Sequence, residues 1–356
     1  FGHHKGDVKP SPNGKRPQGG NNPVDYNNPE TLEFYKEVAV YWIKEYEIDG
    51  WRLDQAYQVP VNAWNSIRIE VENVCNERKS NGKVWGILGY MVGEVWKGNN
   101  EIKDLCYGSN VEALQSCFDF PLRYSIVQVL ASQEDSSASN AKNQPASKIN
   151  DGLNSHSVYP EYAQANLMLG NHDLVRFGDL IQRAGFGGKE NTDYWKRHKA
   201  AFSILAQFTG PITIYYNEEI GFEVEGYINN RDSGYYDDHA SRSSGKITNL
   251  TADEEGLKNY LKSLLTLRNT YKSLQNGVRK NIIASDYIFA DLKEYNNEKV
   301  LFILNSSTSV KTAEITSTSI SGSKLINLIT NEETNLSTDK FILNIEGLSG
   351  NFYLVK

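Results

Sequence analysis

The sequence predicts an α/β chain followed by a smaller all-β module. Two patterns carry that prediction. From about residue 29 to residue 276, short apolar strands alternate with amphipathic helices, which implies right-handed βαβ units and a parallel sheet. From Gly277 onward, β-branched runs are separated by Ser/Thr/Asn/Gly turns, the pattern of an antiparallel sandwich. A third observation concerns function: carboxylates fall at the C-terminal ends of three of the predicted strands.

In chain order, residues 1–28 are rich in Gly, Pro and Asn and read as irregular loop. Asn28-Pro29 then opens a helix, with Asn as N-cap and Pro at the first helical position. Leu32, Tyr35, Val38, Ala39, Trp42, Ile43 and Tyr46 recur at helical spacing as its expected core face. Ile48 to Asp54 is a short strand. Pro60 opens a second helix with Trp64, Ile67, Val71, Val74 and Cys75 on one face. An apolar strand is expected from about Val84 to Val95. The alternation goes on with a strand at Ser116–Pro121, a helix at Leu122–Gln133, and a Ser/Asn/Ala-rich loop at 134–150. A strand at Ala165–Asp173, a helix at Trp195–Phe208, a β-prone run at Pro211–Asn217 and a helix at Glu254–Asn276 complete it. Strands around residues 300–304, 341–345 and 352–355 follow. The expected organisation is therefore residues 1–28 as loop, 29–276 as the α/β part and 277–356 as the β-sandwich.

Composition narrows the function classes. The 356 residues hold 37 Lys+Arg and 44 Asp+Glu, a net charge of −7, and 39% hydrophobic residues. That is globular rather than disordered. With no basic cluster, nucleic acid is not the expected partner. No apolar run reaches the length of a membrane span; Ala200 to Tyr216 is interrupted by Ser203, Gln207, Thr209, Gly210 and Pro211, so no membrane partner is expected either. The three cysteines, Cys75, Cys106 and Cys117, sit in apolar surroundings and fit neither a disulfide framework nor a zinc pattern. The chain opens on Phe1, with no signal-peptide pattern and no Met, and reads as beginning inside a longer protein. Compartment is not legible.

The strand ends hold the chemistry. Asp54 closes one strand, Glu94 the next, and Asn171-His172-Asp173 a third. A single strand-terminal Asp is usually a helix cap or a loop residue. Three in corresponding places converge on the rim where a (β/α)8 barrel builds its active site. Retaining glycoside hydrolysis needs one carboxylate as nucleophile and one protonated carboxyl as acid, about 5–5.5 Å apart. Adjacent strands about 4.7–4.9 Å apart suit that separation. Asp54 and Glu94 supply the pair. Arg52, two residues before Asp54, points the same way and can hold that carboxylate ionised.

These segments resemble the motifs of the α-amylase superfamily. Asp49-Gly50-Trp51-Arg52-Leu53-Asp54 is similar to its nucleophile motif and Gly93-Glu94-Val95-Trp96 to its acid/base motif. Leu169-Gly170-Asn171-His172-Asp173 is similar to its third motif, and Gly210 to Glu219 to its last barrel strand. Asn22 to Asn27 weakly resembles the segment leaving the inserted domain B. The forms of the motifs are closest to the neopullulanase and cyclomaltodextrinase branch. The resemblance implies a (β/α)8 barrel followed by a β-sandwich, and hydrolysis of α-glucosidic bonds in maltodextrins. It implies Asp54 as nucleophile, Glu94 as acid/base, and Asp173 with His172, Asn171 and Arg52 on the substrate. Transglycosylation by the same residues and non-catalytic α-glucan binding are the alternatives.

The family's first motif is absent, and only five barrel strands are found where a closed barrel needs eight. The expectation is that the first three βα units precede Phe1 or belong to a separate polypeptide. Tyr57 and Gln58 stand where many relatives have a basic residue and His, which puts calcium in doubt; Asp25 is the one weak calcium candidate, and no organic cofactor is implied. Asn217 replaces the family's usual Gly. Trp96 and Tyr57 are candidates to stack on sugar rings, with packing in the core or at the rim as the alternative. Arg176 reads as a surface ion pair or a substrate contact, His198 as a surface residue, His3 and His4 as solvated loop. Tyr235 to His239 reads as a rim loop.

Overall fold

The computed structural model describes residues 24–224 and 241–356. His3, His4, Asn22, Pro23 and the Tyr235–His239 loop lie outside them. The chain divides into two compact units, residues 1–118 with 157–165, and residues 119–156 with 166–356.

In the first unit, α1 (Pro29–Tyr46) is capped by Asn28, whose side chain accepts the Glu30 N–H. Strand β1 (Gly50–Leu53) precedes α2 (Val61–Ser80), and β2 (Tyr90–Gly93) precedes the one-turn α3 (Asn99–Ile102) and β3 (Ser116–Phe118). β1 pairs β2 in parallel, Gly50 opposite Tyr90 and Leu53 opposite Gly93, and β2 pairs β3 in parallel. Gly50 is required: a Cβ there would meet the Tyr90 carbonyl oxygen at 1.9 Å. The predicted face of α2 is buried, and all three cysteines are buried and outside any disulfide. Two expectations need correction. The core face of α1 runs through Leu32, Tyr35, Ala39 and Ile43, whereas Trp42 and Tyr46 are exposed and stack on one another with rings 5.1 Å apart. Of the strand expected from Val84 to Val95, only Tyr90–Gly93 forms; Val84, Trp85 and Leu88 are exposed.

In the second unit, α4 (Phe120–Leu130) starts at Asp119, which caps it by accepting the Leu122 N–H, and α5 (Ser147–Asn154) follows. Strand β4 (Gln164–Met168) pairs in parallel with β5 (Ile212–Thr213), Leu167 opposite Ile212; α6 (Phe177–Arg183) and α7 (Thr192–Gln207) lie between them in sequence. The β-prone run at 211–217 thus forms only two strand residues. The last predicted helix is interrupted at Tyr271 into α8 (Ala252–Thr270) and α9 (Lys272–Asn276). Arg268 explains part of the stop: its guanidinium donates to the carbonyls of Ala206, Phe208, Gly210 and Leu274. His198, expected at the surface, is buried against Tyr194, Phe177 and Phe202, and burial pushes its imidazole down to about 3, keeping it neutral.

The β module begins at β6 (Val278–Ala284), β7 (Ile288–Tyr295) and β8 (Glu298–Asn305). The two-residue turn Asn296-Asn297 has positive φ at both positions, as a type I′ hairpin demands. Then come β9 (Lys311–Thr316), β10 (Lys324–Asn327), β11 (Glu333–Asn335), β12 (Lys340–Ile345) and β13 (Ser349–Val355). A six-stranded sheet of order β11-β10-β13-β8-β7-β6 and a two-stranded β12-β9 sheet share one apolar core. This is the expected sandwich.

No helix among the described residues is long and apolar enough to cross a membrane.

Candidate active site

Each candidate carboxylate of the first unit sits one residue beyond its strand. Parallel pairing continues past the strand ends, because the Glu94 N–H donates to the Leu53 carbonyl and the Ala56 N–H to the Glu94 carbonyl, each at 2.9 Å. That register brings Asp54 and Glu94 together around Arg52. The guanidinium bridges them: Nη1 donates to Asp54 Oδ1 at 2.6 Å and Nη2 to Glu94 Oε2 at 2.9 Å.

The two carboxylates sit in different surroundings. The Asp54 side chain is 63% exposed and that of Glu94 only 7%. Burial raises the Glu94 carboxyl above its ordinary value. The Gln55 N–H and Arg52 pull it back down, and the nearby Asp54 carboxylate pushes it up again. Both bonds to Glu94, from Arg52 and from the Gln55 N–H at 3.2 Å, reach Oε2, which leaves Oε1 to carry a proton. Gln55 makes its bond from a left-handed backbone (φ 40°). Its side-chain oxygen takes the Tyr57 hydroxyl at 3.1 Å and the Gln58 amide. Tyr57 is partly exposed beneath Lys97, and Trp96 is partly exposed beyond Glu94.

The third motif builds a second cluster, in the second unit. Asn171 forms a turn there, its side-chain oxygen accepting the N–H groups of Asp173 at 2.8 Å and Leu174 at 3.0 Å. Asp173 lies between two partners, His172 Nε2 at 3.2 Å from Oδ2 and Arg242 Nη2 at 2.5 Å from Oδ1. Arg242 Nε and the Ser241 hydroxyl both donate to the His172 carbonyl. Arg242 is a site residue that sequence reading missed, because only the folded chain brings it against a motif 69 residues earlier.

Under this turn lies Glu218, buried, with Oε2 accepting the Tyr215 N–H and Oε1 without a hydrogen bond. Burial raises its carboxyl to about 8. A Cβ on Gly170 would meet Glu218 Oε1 at 2.6 Å. Asn217 takes a left-handed φ of 64°, which explains how it fills a position where the family has Gly. Its side-chain amide grips Lys246 from both sides, accepting its N–H and donating to its carbonyl. Arg176 is neither a surface ion pair nor an open substrate contact. It is buried, donates to the carbonyls of Tyr216 and Ser241, and lies against the rings of Tyr215, Tyr216 and Phe222.

Asp25 shapes a turn by accepting the Asn27 N–H, and no three His, Cys, Asp or Glu residues among those described gather as a metal donor set.

The parallel strands and the helices between them belong to an α/β-barrel architecture, and comparison with known proteins gives the family. The α-amylase catalytic-domain model matches residues 20–266, and the chain belongs to that family of glycoside hydrolases. Among the described residues it carries five parallel strands of that barrel and the C-terminal antiparallel module. It is similar to the cyclomaltodextrinases of Thermoanaerobacter pseudethanolicus, 27% identical over 79% of this chain, and of Geobacillus thermopakistaniensis, 28% identical over 86%. The chain spans 41% and 44% of the lengths of those two relatives. Among solved structures it is similar to AmyP in complex with maltose, with a TM-score of 0.89 and 42% identity, over all of this chain and 73% of that one.

Proposed function

We propose that this chain carries the reacting groups of a retaining glycoside hydrolase that cleaves α-glucosidic bonds in maltodextrins. One observation carries the assignment: a single guanidinium holds two carboxylates in opposite surroundings, one open and one buried. Asp54, open and arginine-paired, attacks the anomeric carbon and forms a covalent glycosyl ester. Glu94, raised by burial, gives its proton to the departing glycosidic oxygen, so the C–O bond breaks without releasing an alkoxide. The resulting Glu94 carboxylate then takes a proton from water, which attacks the ester and releases sugar with its original configuration. Asp173 and His172 hold sugar hydroxyls more tightly as positive charge develops on the ring. Their role rests on the likeness of Leu169–Asp173 to the family's third motif. Tyr57 and Trp96 offer rings to the apolar faces of the sugar. The maltose in the AmyP structure and the cyclomaltodextrinase relatives support an α-glucan as substrate.

Glu94→Gln tests the assignment. It cannot donate a proton, so kcat on maltooligosaccharides falls by about 10²–10⁴ while substrate still binds. An aryl glycoside with an acidic leaving group, which needs no proton, loses far less in the glycosylation step. Equal losses on both substrates, or near-normal turnover, remove Glu94 from the acid role.

A further inference from the structure

The second unit holds a pocket of about 670 Å³ whose lining includes none of the residues assigned above. That volume falls in the about 300–1,000 Å³ range of small-ligand sites. Its walls come from the α4–α5 loop, the start of α7 with the residues before it, and two turns of the β module. The residues with chemistry to offer are Asn143, Phe186, Arg197, Asp286, Tyr287 and Thr308.

At the buried wall is Arg197, only 6% exposed. It donates Nη1 to the Leu130 carbonyl at 2.8 Å and lies 3.8 Å from the centre of the Phe186 ring. Nε is sealed inside the protein, whereas Nη2 is not, and among the described residues Nη2 makes no hydrogen bond. A guanidinium N–H that lines a hollow without a protein partner can donate to a ligand acceptor there. Asn143, also in the lining, stands in a left-handed conformation on its loop (φ 57°). Tyr287 is 49% exposed, with Lys311 lying over one face of its ring at 4.4 Å. Asn143, Asp286, Tyr287 and Thr308 thus line the same hollow as Phe186.

This set selects a ligand class. An anionic ligand would meet Asp286, and a purely apolar one would strip water from four polar groups without replacing their hydrogen bonds. A polyhydroxyl ligand suits both. Its hydroxyls can donate to the carboxylate and accept from the amide and guanidinium, while a ring covers its apolar face. We propose that this pocket binds a segment of α-glucan, as a holding site that does no chemistry. The choice of α-glucan over other oligosaccharides rests on the function proposed above.

Two measurements in the full chain separate the proposals: retardation in gels containing soluble amylopectin, and hydrolysis of maltotriose. The parent is retarded. Tyr287→Ala and Asp286→Asn each weaken the apparent dissociation constant for amylopectin about tenfold and leave maltotriose hydrolysis at the parent rate. Thr308→Val, which removes one hydroxyl at nearly constant volume, gives a smaller loss and guards against misfolding of the others. A parent that is not retarded, or variants retarded like the parent, overturns the holding site. Maltotriose turnover judges the catalytic reading by itself: an inactive parent whose retardation still depends on Tyr287 and Asp286 keeps the pocket and removes the hydrolase.

Discussion

The molecule builds two arginine–carboxylate clusters from the same residue types and gives them different chemistry. In the first unit, Arg52 spans Asp54 and Glu94, and the far carboxylate is buried. In the second, Arg242 holds Asp173 and a backbone carbonyl, and the carboxylate's other neighbour is a histidine. The Asp173 side chain keeps 25% of its surface and that of Glu94 only 7%. Pairing with arginine makes a carboxylate ionise; burial opposes it. Where burial leads, as at Glu94, the group is suited to hold and give a proton. Where the carboxylate stays open and doubly paired, it is suited to accept hydrogen bonds from a ligand.

The largest effect comes from breaking the first cluster. Arg52→Gln removes the charge that lowers the Glu94 carboxyl and leaves Asp54 without its ion pair. We expect kcat/KM to fall about 10²–10³. The sign for pH follows from the acid role: activity needs Glu94 protonated and is lost as pH rises through its raised value. Removing Arg52 therefore moves the alkaline limb of the profile to higher pH. A limb that stays in place, measured over the full pH profile of kcat/KM, would detach Glu94 from that limb.

Breaking the second cluster costs less. Arg242→Gln frees Asp173 without touching the groups proposed above to make and break bonds. The expected result is a fall of about tenfold in kcat/KM with the alkaline limb unmoved, since that limb belongs to Glu94. A shifted limb would mean that Arg242 acts on the proton donor, and the contrast between the clusters would fail.

The smallest effect concerns stability and carries the comparison one step further, to a buried carboxyl with no arginine bonded to it. Glu218 is raised to about 8, so between its ordinary 4.5 and 8 the folded chain holds a proton that the unfolded chain has released. Its contribution is full below pH 4.5, falls as pH rises through that window by about tenfold in the folding equilibrium per unit, and is flat above 8. Glu218→Gln removes that slope. Denaturant titrations at pH 5 and pH 8 should show the parent losing stability relative to the variant at the higher pH. Parallel behaviour would mean Glu218 is ionised in the folded chain.

Much of this was readable in the sequence, and the exceptions have physical causes. The Asn28-Pro29 cap, the face of α2 and the strand-end positions of Asp54 and Glu94 depend on local geometry and spacing, and all are found in the structure. Trp42 and Tyr46 lie on the exposed side of α1 because periodicity marks an apolar stripe without saying how wide its partner is. Val84, Trp85 and Leu88 are apolar yet unpaired, since strand formation needs a neighbour in register. His198 and Arg176 differ from expectation because polarity suggests exposure, whereas His198 is covered by rings of its own helix and of Phe177, and Arg176 by rings and carbonyls of distant segments.

The sequence alone therefore determined the order of strands and helices, the family motifs, and which carboxylates stand at strand ends. These follow from backbone periodicity and from residue types at fixed spacing. Only the tertiary structure decided which carboxylate is buried, which arginine holds Asp173, and where Arg197 is left facing a hollow. Solvation and long-range pairing are properties of segments that meet in space, and no local pattern encodes them.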